Sequence, residues 1–83
     1  MSPREFSTES IDLAAFLMTA GHDPAVYRNP DSPRAVFVFD EDGKLHEAIV
    51  AYERGAALPA KKLLNARSYL FREASRVCRE VRP

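Results

Sequence analysis

Apolar and polar positions along the chain divide it into six segments. Residues 4–7 are polar around one anchor, Phe6, and predict a short first strand. Ser7 and Thr8 read as N-cap candidates for a helix over residues 9–20, with Glu9 and Asp12 in its first turn, where the helix dipole favours anions. Gly21 is the residue type expected just past the end of such a helix. Ile11, Ala14, Ala15 and Met18 fall on one face of it, and Leu13, Phe16, Leu17 and Ala20 on the other. A helix apolar on both faces is predicted to be buried on two sides. Ala25–Arg28 predicts a second strand, and Asn29-Pro30-Asp31-Ser32-Pro33 is turn chemistry. Residues 34–39 predict the third and strongest strand. Val36 and Val38 point one way and Phe37 and Phe39 the other, the pattern of a central strand covered on both faces. The second and third strands form a hairpin with a five-residue loop.

Asp40, Glu41 and Asp42 supply a cap and an acidic first turn for a helix ending near Arg54, with Leu45, Ala48, Ile49 and Tyr52 on one stripe and Gly55 as terminator. Pro59 sits where prolines favour the first turn of a last helix, predicted over residues 59–81. The order is therefore β-α-β-β-α-α. The first two strands run parallel across a helical crossover, which should be right-handed. The third runs against both. The expected fold is α+β, a three-stranded sheet in order 1-3-2 with the third strand central, packed by three helices.

Length and composition narrow the class. A chain of 83 residues is expected to make one domain, here residues 1–83, with a modest core and a stability of a few kcal/mol. Cys78 is the sole cysteine, so no internal disulfide forms, and a lone thiol suits a reducing, cytoplasmic setting. His22 and His46 are far apart and lack partners at ligand spacing, so neither a metal nor another cofactor is expected. The start of the chain is polar and no apolar run approaches a bilayer span, so no targeting segment and no membrane partner are expected.

The formal net charge is zero, but it is partitioned. Residues 1–60 carry five basic and ten acidic side chains, net −5; residues 61–83 carry seven basic and two acidic, net +5. The chain reads as an acidic β-α-β-β-α body (residues 1–60) joined to a basic amphipathic helix (residues 59–83).

Three blocks of this sequence resemble a known family. The first is Phe6-Ser7-Thr8 with Leu13-Ala14-Ala15-Phe16-Leu17 and Gly21-His22. The second is Val36-Phe37-Val38-Phe39 with a helix ending Tyr52-Glu53-Arg54-Gly55. The third is Pro59-Ala60-Lys61-Lys62-Leu63-Leu64-Asn65-Ala66. Together, over nearly the whole chain, they resemble the domain of unknown function 5659, a small prokaryotic and viral family. The resemblance implies one compact domain of this topology. It brings no activity and no functional residue.

Candidate chemistry is sparse. In the last helix Leu63, Leu70, Phe71, Ala74, Val77, Cys78 and Val81 form an apolar stripe. Lys61, Arg72, Arg76 and Arg79 lie opposite, with Lys62 and Tyr69 at the edge. Such a face could contact phosphates, with Tyr69 stacking on a base, or be a solvated face favoured by the dipole. Arg28 and Arg34 flank the hairpin loop and could probe a groove. Arg67 falls within the apolar stripe near Leu64 and Phe71, so its guanidinium needs a partner; Asp40, Glu41, Asp42 and Glu47 are the candidates. His22, beside Asp23, reads as a cap or turn contact, His46 as solvated, and Cys78 as a buried small hydrophobe. No nucleophile pairs with a base, so an enzyme is not expected. The leading expectation is a non-catalytic interaction module, self-associating or docking on a protein, because the first helix has more apolar surface than one sheet covers. The alternative is a small nucleic-acid-binding accessory or regulatory protein using the basic helix.

Overall fold

A computed structural model of the chain describes residues 4–80. The elements are β1 (Glu5–Thr8), α1 (Ile11–Thr19), β2 (Ala25–Arg28), β3 (Ala35–Asp40), α2 (Gly43–Glu53) and α3 (Ala60–Glu80). The sheet order is β1-β3-β2, and β3 runs antiparallel to both neighbours. This is the expected α+β topology. The last residue predicted for the final helix, Val81, lies outside the described residues.

Local hydrogen bonding explains the element ends. Ser7 and Thr8 are held extended opposite Val38 and Phe37, so they belong to β1 and do not cap α1. The cap is Ser10, whose hydroxyl accepts from Leu13 N–H at 3.2 Å. Glu9 thus precedes the helix, and Asp12 alone is acidic in its first turn. Both α1 and α2 end in the same six-to-one, five-to-two backbone closure. His22 N–H donates to Leu17 C=O and Gly21 N–H to Met18 C=O; Ala56 N–H donates to Ala51 C=O and Gly55 N–H to Tyr52 C=O. Gly21 (φ 104°) and Gly55 (φ 80°) take the left-handed conformation this requires. His22 therefore makes the turn contact expected of it, through its backbone.

The acidic run before α2 divides differently from expectation. Asp40 is the last residue of β3, and Glu41 N–H bonds to Arg4 C=O at 2.9 Å, extending the ladder. Asp42 alone caps α2, accepting from Leu45 N–H at 2.7 Å, and no acid lies in the first turn. Pro59 precedes α3 by one residue and accepts its first helical bond, from Leu63 N–H.

The core lies on one side of the sheet. Ala35, Phe37 and Phe39 are buried, and Phe6 and Val26, their register neighbours on that face, pack against the same cluster as Leu17, Leu45 and Leu70. Val36 and Val38 stand outside that cluster, only part-buried, beside Tyr27, Ala25 and Ser7. The expectation that β3 is covered on both faces is thus corrected: all three helices share one face, and the domain is a two-layer plate of 41 × 37 × 17 Å. Sheet-to-helix spacing of about 10 Å leaves no room for a third layer in that thickness.

Placing the helices together also accounts for α1. Ala14, Ala15, Phe16 and Leu17 are all buried, with α3 against one side and α2 against the other. The edge of Phe16 meets Tyr52 of α2 at 5.4 Å between ring centroids. Much of both apolar faces is thus covered within one chain, with Ile11, Leu13 and Met18 part-buried and Ala20 exposed.

Candidate polyanion-binding face

The register of α3 decides which of its residues are available. Ala66, Leu70 and Val77 are buried and Leu63 and Ala74 half-buried, so the inward stripe is centred on Ala66 and Leu70. Leu64 and Phe71 are 57% and 51% exposed, which corrects the placement of Phe71 in the buried stripe. Cys78 is part-buried, and its thiol donates to Pro33 C=O at 3.2 Å, tying the end of α3 to the hairpin loop.

Arg67 reaches Asp12 of α1, with Nε 2.8 Å from the carboxylate. It is an ion pair, as expected, but with none of the carboxylates expected to make it. Asp12, at the start of α1, lies beside α3, whereas Asp40 ends β3 and Asp42 caps α2. The Nε atom is buried and its N–H is not aimed at the carboxylate, so the contact is ionic and without a directed hydrogen bond. The guanidinium also lies over Phe71, 5.6 Å from the ring centroid. This one side chain therefore joins α3 to α1 and shields part of an exposed ring.

On the opposite side the cations face solvent. Lys61, Lys62, Arg72, Arg76 and Arg79 are all exposed, as is Tyr69. They run from Lys61 to Arg79 over about 27 Å of helix. Arg76 bonds Glu73 at 2.9 Å, and Arg79 Nε donates to Ser75 C=O of its own helix at 3.3 Å. Lys61, Lys62 and Arg72 make no ion pair among the described residues. Asn65, Ser68 and Ser75 are exposed between the cations, small hydrogen-bonding side chains that a charge count passes over. The acidic body and basic helix thus face apart along most of α3.

Two depressions flank Tyr69. One is a shallow groove it shares with Phe71, Arg72, Arg76 and Arg79. The other is a notch of about 420 Å3 between α1 and α3, lined by Met18, Thr19, Lys62, Asn65, Ala66 and Tyr69. The signal for this notch was the alignment of Ala66, Tyr69 and Lys62 on one flank of the helix; the contribution of Met18 needed the packing of α1.

The hairpin arginines stand apart from this row. Arg34, exposed, lines a separate cleft with Glu9, Ile11, Phe37, Phe71 and Ala74. Arg28 ends β2, exposed, in register with Ala35. The loop between them is held by its own bonds: Asp31 N–H to Asn29 Oδ1, Arg34 N–H to Ser32 Oγ, and Asn29 Nδ2 to Glu9 across the sheet end. His46 is exposed on α2, as expected. Among the described residues, no cluster of three His, Cys, Asp or Glu could hold a metal, and no helix is long and apolar enough to cross a membrane.

Fold and surface together define a class: a small two-layer α+β domain with an open sheet face and a cation-lined outer helix. The chain belongs to the family described as Domain of unknown function (DUF5659), which matches residues 3–68. The match takes in the whole body and the first part of α3, including Lys61, Lys62 and Ala66; Tyr69, Arg72, Arg76 and Arg79 lie beyond it. No curated protein and no solved structure matches the chain.

Proposed function

We propose that the domain is a non-catalytic binding module whose working surface is the outer face of α3, and that this face takes nucleic acid through its phosphates. The observation that carries the reading is the exposure of Lys61, Lys62, Arg72, Arg76 and Arg79 along one helix, interleaved with Asn65, Ser68, Tyr69 and Ser75. Phosphate contacts in nucleic-acid complexes come from this mixture of Arg and Lys with Ser, Asn and Tyr. Arg67 and Cys78 are engaged structurally, Arg67 by Asp12 and Phe71 and Cys78 by Pro33. The lone thiol fits a reducing compartment, in keeping with a cytoplasmic module.

Fluorescence anisotropy with labelled oligonucleotides tests the reading. Binding is expected to weaken steeply between 50 and 200 mM salt, with a log–log slope of about −2 to −3.5 for three to five phosphates neutralised on a single strand. Replacing Arg72 and Arg79 together by Gln should flatten that slope by more than one unit. Absence of salt-dependent binding sinks the reading.

A second reading, self-association, rests on a different surface. Val36, Val38 and the 57% exposed Tyr27 put an apolar patch on the sheet face away from the helices, on which no helix lies among the described residues. Light scattering across a concentration series decides it: a mass that stays monomeric removes self-association.

A further inference from the structure

The shape beside Tyr69 narrows the polyanion. A row of cations would serve for a duplex, a single strand or an acidic peptide alike. The notch between α1 and α3 would not. Its lining is mostly apolar and includes Met18, Ala66 and Tyr69, of which Ala66 is only 6% and Tyr69 42% exposed. Lys62, Asn65 and Thr19 complete it. Thr19 already donates to Phe16 C=O at 2.8 Å, so towards a ligand it offers acceptor lone pairs. Asn65 offers both donors and an acceptor.

An unpaired base uses each of these residues. The apolar lining gives nothing to a phosphate or a carboxylate. A base within a duplex has its faces stacked and its pairing edge engaged. An unstacked base presents a flat π-face to Tyr69, an apolar underside to Met18 and Ala66, and a hydrogen-bonding edge to Asn65. Tyr69 also borders the cationic groove with Arg72, Arg76 and Arg79, so it stands between the open notch and the proposed phosphate-binding face. We infer that the ligand of this face is a single-stranded nucleic acid, with one base laid in the Met18–Ala66–Tyr69 notch and its flanking phosphates on Lys62 to one side and Arg72 to the other. This inference rests on the proposed phosphate-binding face and adds the base to it.

The test separates base from backbone. The intact chain is titrated at 50 mM salt against four labelled probes: a 15-nucleotide mixed-sequence single strand, an abasic sugar-phosphate strand of equal length, the corresponding duplex, and a poly-glutamate peptide. The single strand should bind about tenfold tighter than the abasic strand, the effect of stacking one base. Tyr69→Ala should abolish the preference for the single strand over the abasic strand while leaving the salt slope, which the cations set, in place. Tyr69→Phe, which keeps the ring, should retain the preference, so a loss with Ala and retention with Phe cannot come from misfolding alone. Equal binding of single and abasic strands, or tighter binding of the duplex, overturns the base site but leaves the phosphate-binding face standing. Poly-glutamate binding as tight as the single strand overturns the inference in favour of an acidic protein partner. No binding of any probe removes both.

Discussion

Three glycines in this chain answer the same substitution in opposite ways. Gly21 and Gly55 sit at φ 104° and 80° where α1 and α2 close, and a Cβ at either would meet nothing within 4 Å. The penalty for Ala there is therefore conformational, roughly 1–2 kcal/mol for forcing a Cβ into the left-handed region. Gly43 opens α2 without a positive φ and with equally open space, so Gly43→Ala should stabilise by a few tenths of a kcal/mol through helix propensity. Urea unfolding of the three Ala variants checks the reversal of sign. Asp42→Ala, which removes the side-chain acceptor for Leu45 N–H, should cost about 1 kcal/mol by the same measurement. In a domain this small such losses are a sizeable fraction of total stability.

At the scale of elements the informative case is the rotation of α3. Leu70 and Phe71 are adjacent, yet Leu70 is fully buried and Phe71 half-exposed. Leu70→Ala should cost about 2–5 kcal/mol and Phe71→Ala under about 1 kcal/mol. A larger cost at Phe71 would mean that the helix is turned the other way. Phe71 is not idle, since Arg67 lies over its ring while paired with Asp12. That pair is partly open to water, 36% and 63% exposed, so Asp12→Asn should change stability by no more than about 1 kcal/mol. The arrangement works chiefly as a register mark, because it places a cation where α1 and α3 meet and turns Lys61, Lys62 and Arg72 to the exposed side.

For the whole molecule, a net charge of zero conceals a plate with different chemistry on its two sides. The cations of α3 lie on the side away from the sheet's bare face, where Glu5 and Asp40 stand in register. A thickness of 17 Å exceeds the screening length of about 8 Å at physiological salt, so the two sides act on a ligand nearly independently. Glu5→Gln should therefore leave oligonucleotide affinity at 150 mM salt unchanged, although it raises the net charge to the same extent that Arg72→Gln lowers it. Arg72→Gln should weaken binding several-fold. Equal and opposite shifts in the two variants would show that net charge governs association and that the local face does not.

Much of this was legible from residue order, because the interactions responsible are short-range. The β-α-β-β-α-α order and the glycine terminators follow from periodicity and turn chemistry, each acting within a few residues, and the central third strand follows from that order; that Asp42 rather than Asp40 or Glu41 caps α2 did not. What stayed illegible depended on partners distant in sequence. Alternating Val and Phe in β3 marks two apolar faces but cannot say that only the Phe face receives helices. Two apolar faces on α1 cannot say whether α2 and α3 or a second subunit covers them. A helix as apolar and as basic as α3 allows neighbouring angular settings, and packing Ala66 and Leu70 against α1 and the sheet selected the one that frees Phe71 and Tyr69. Residue order by itself determined the elements, their sequence and the separation of charge; the tertiary structure alone decided which faces those elements bury, because burial is settled by what lies opposite in space.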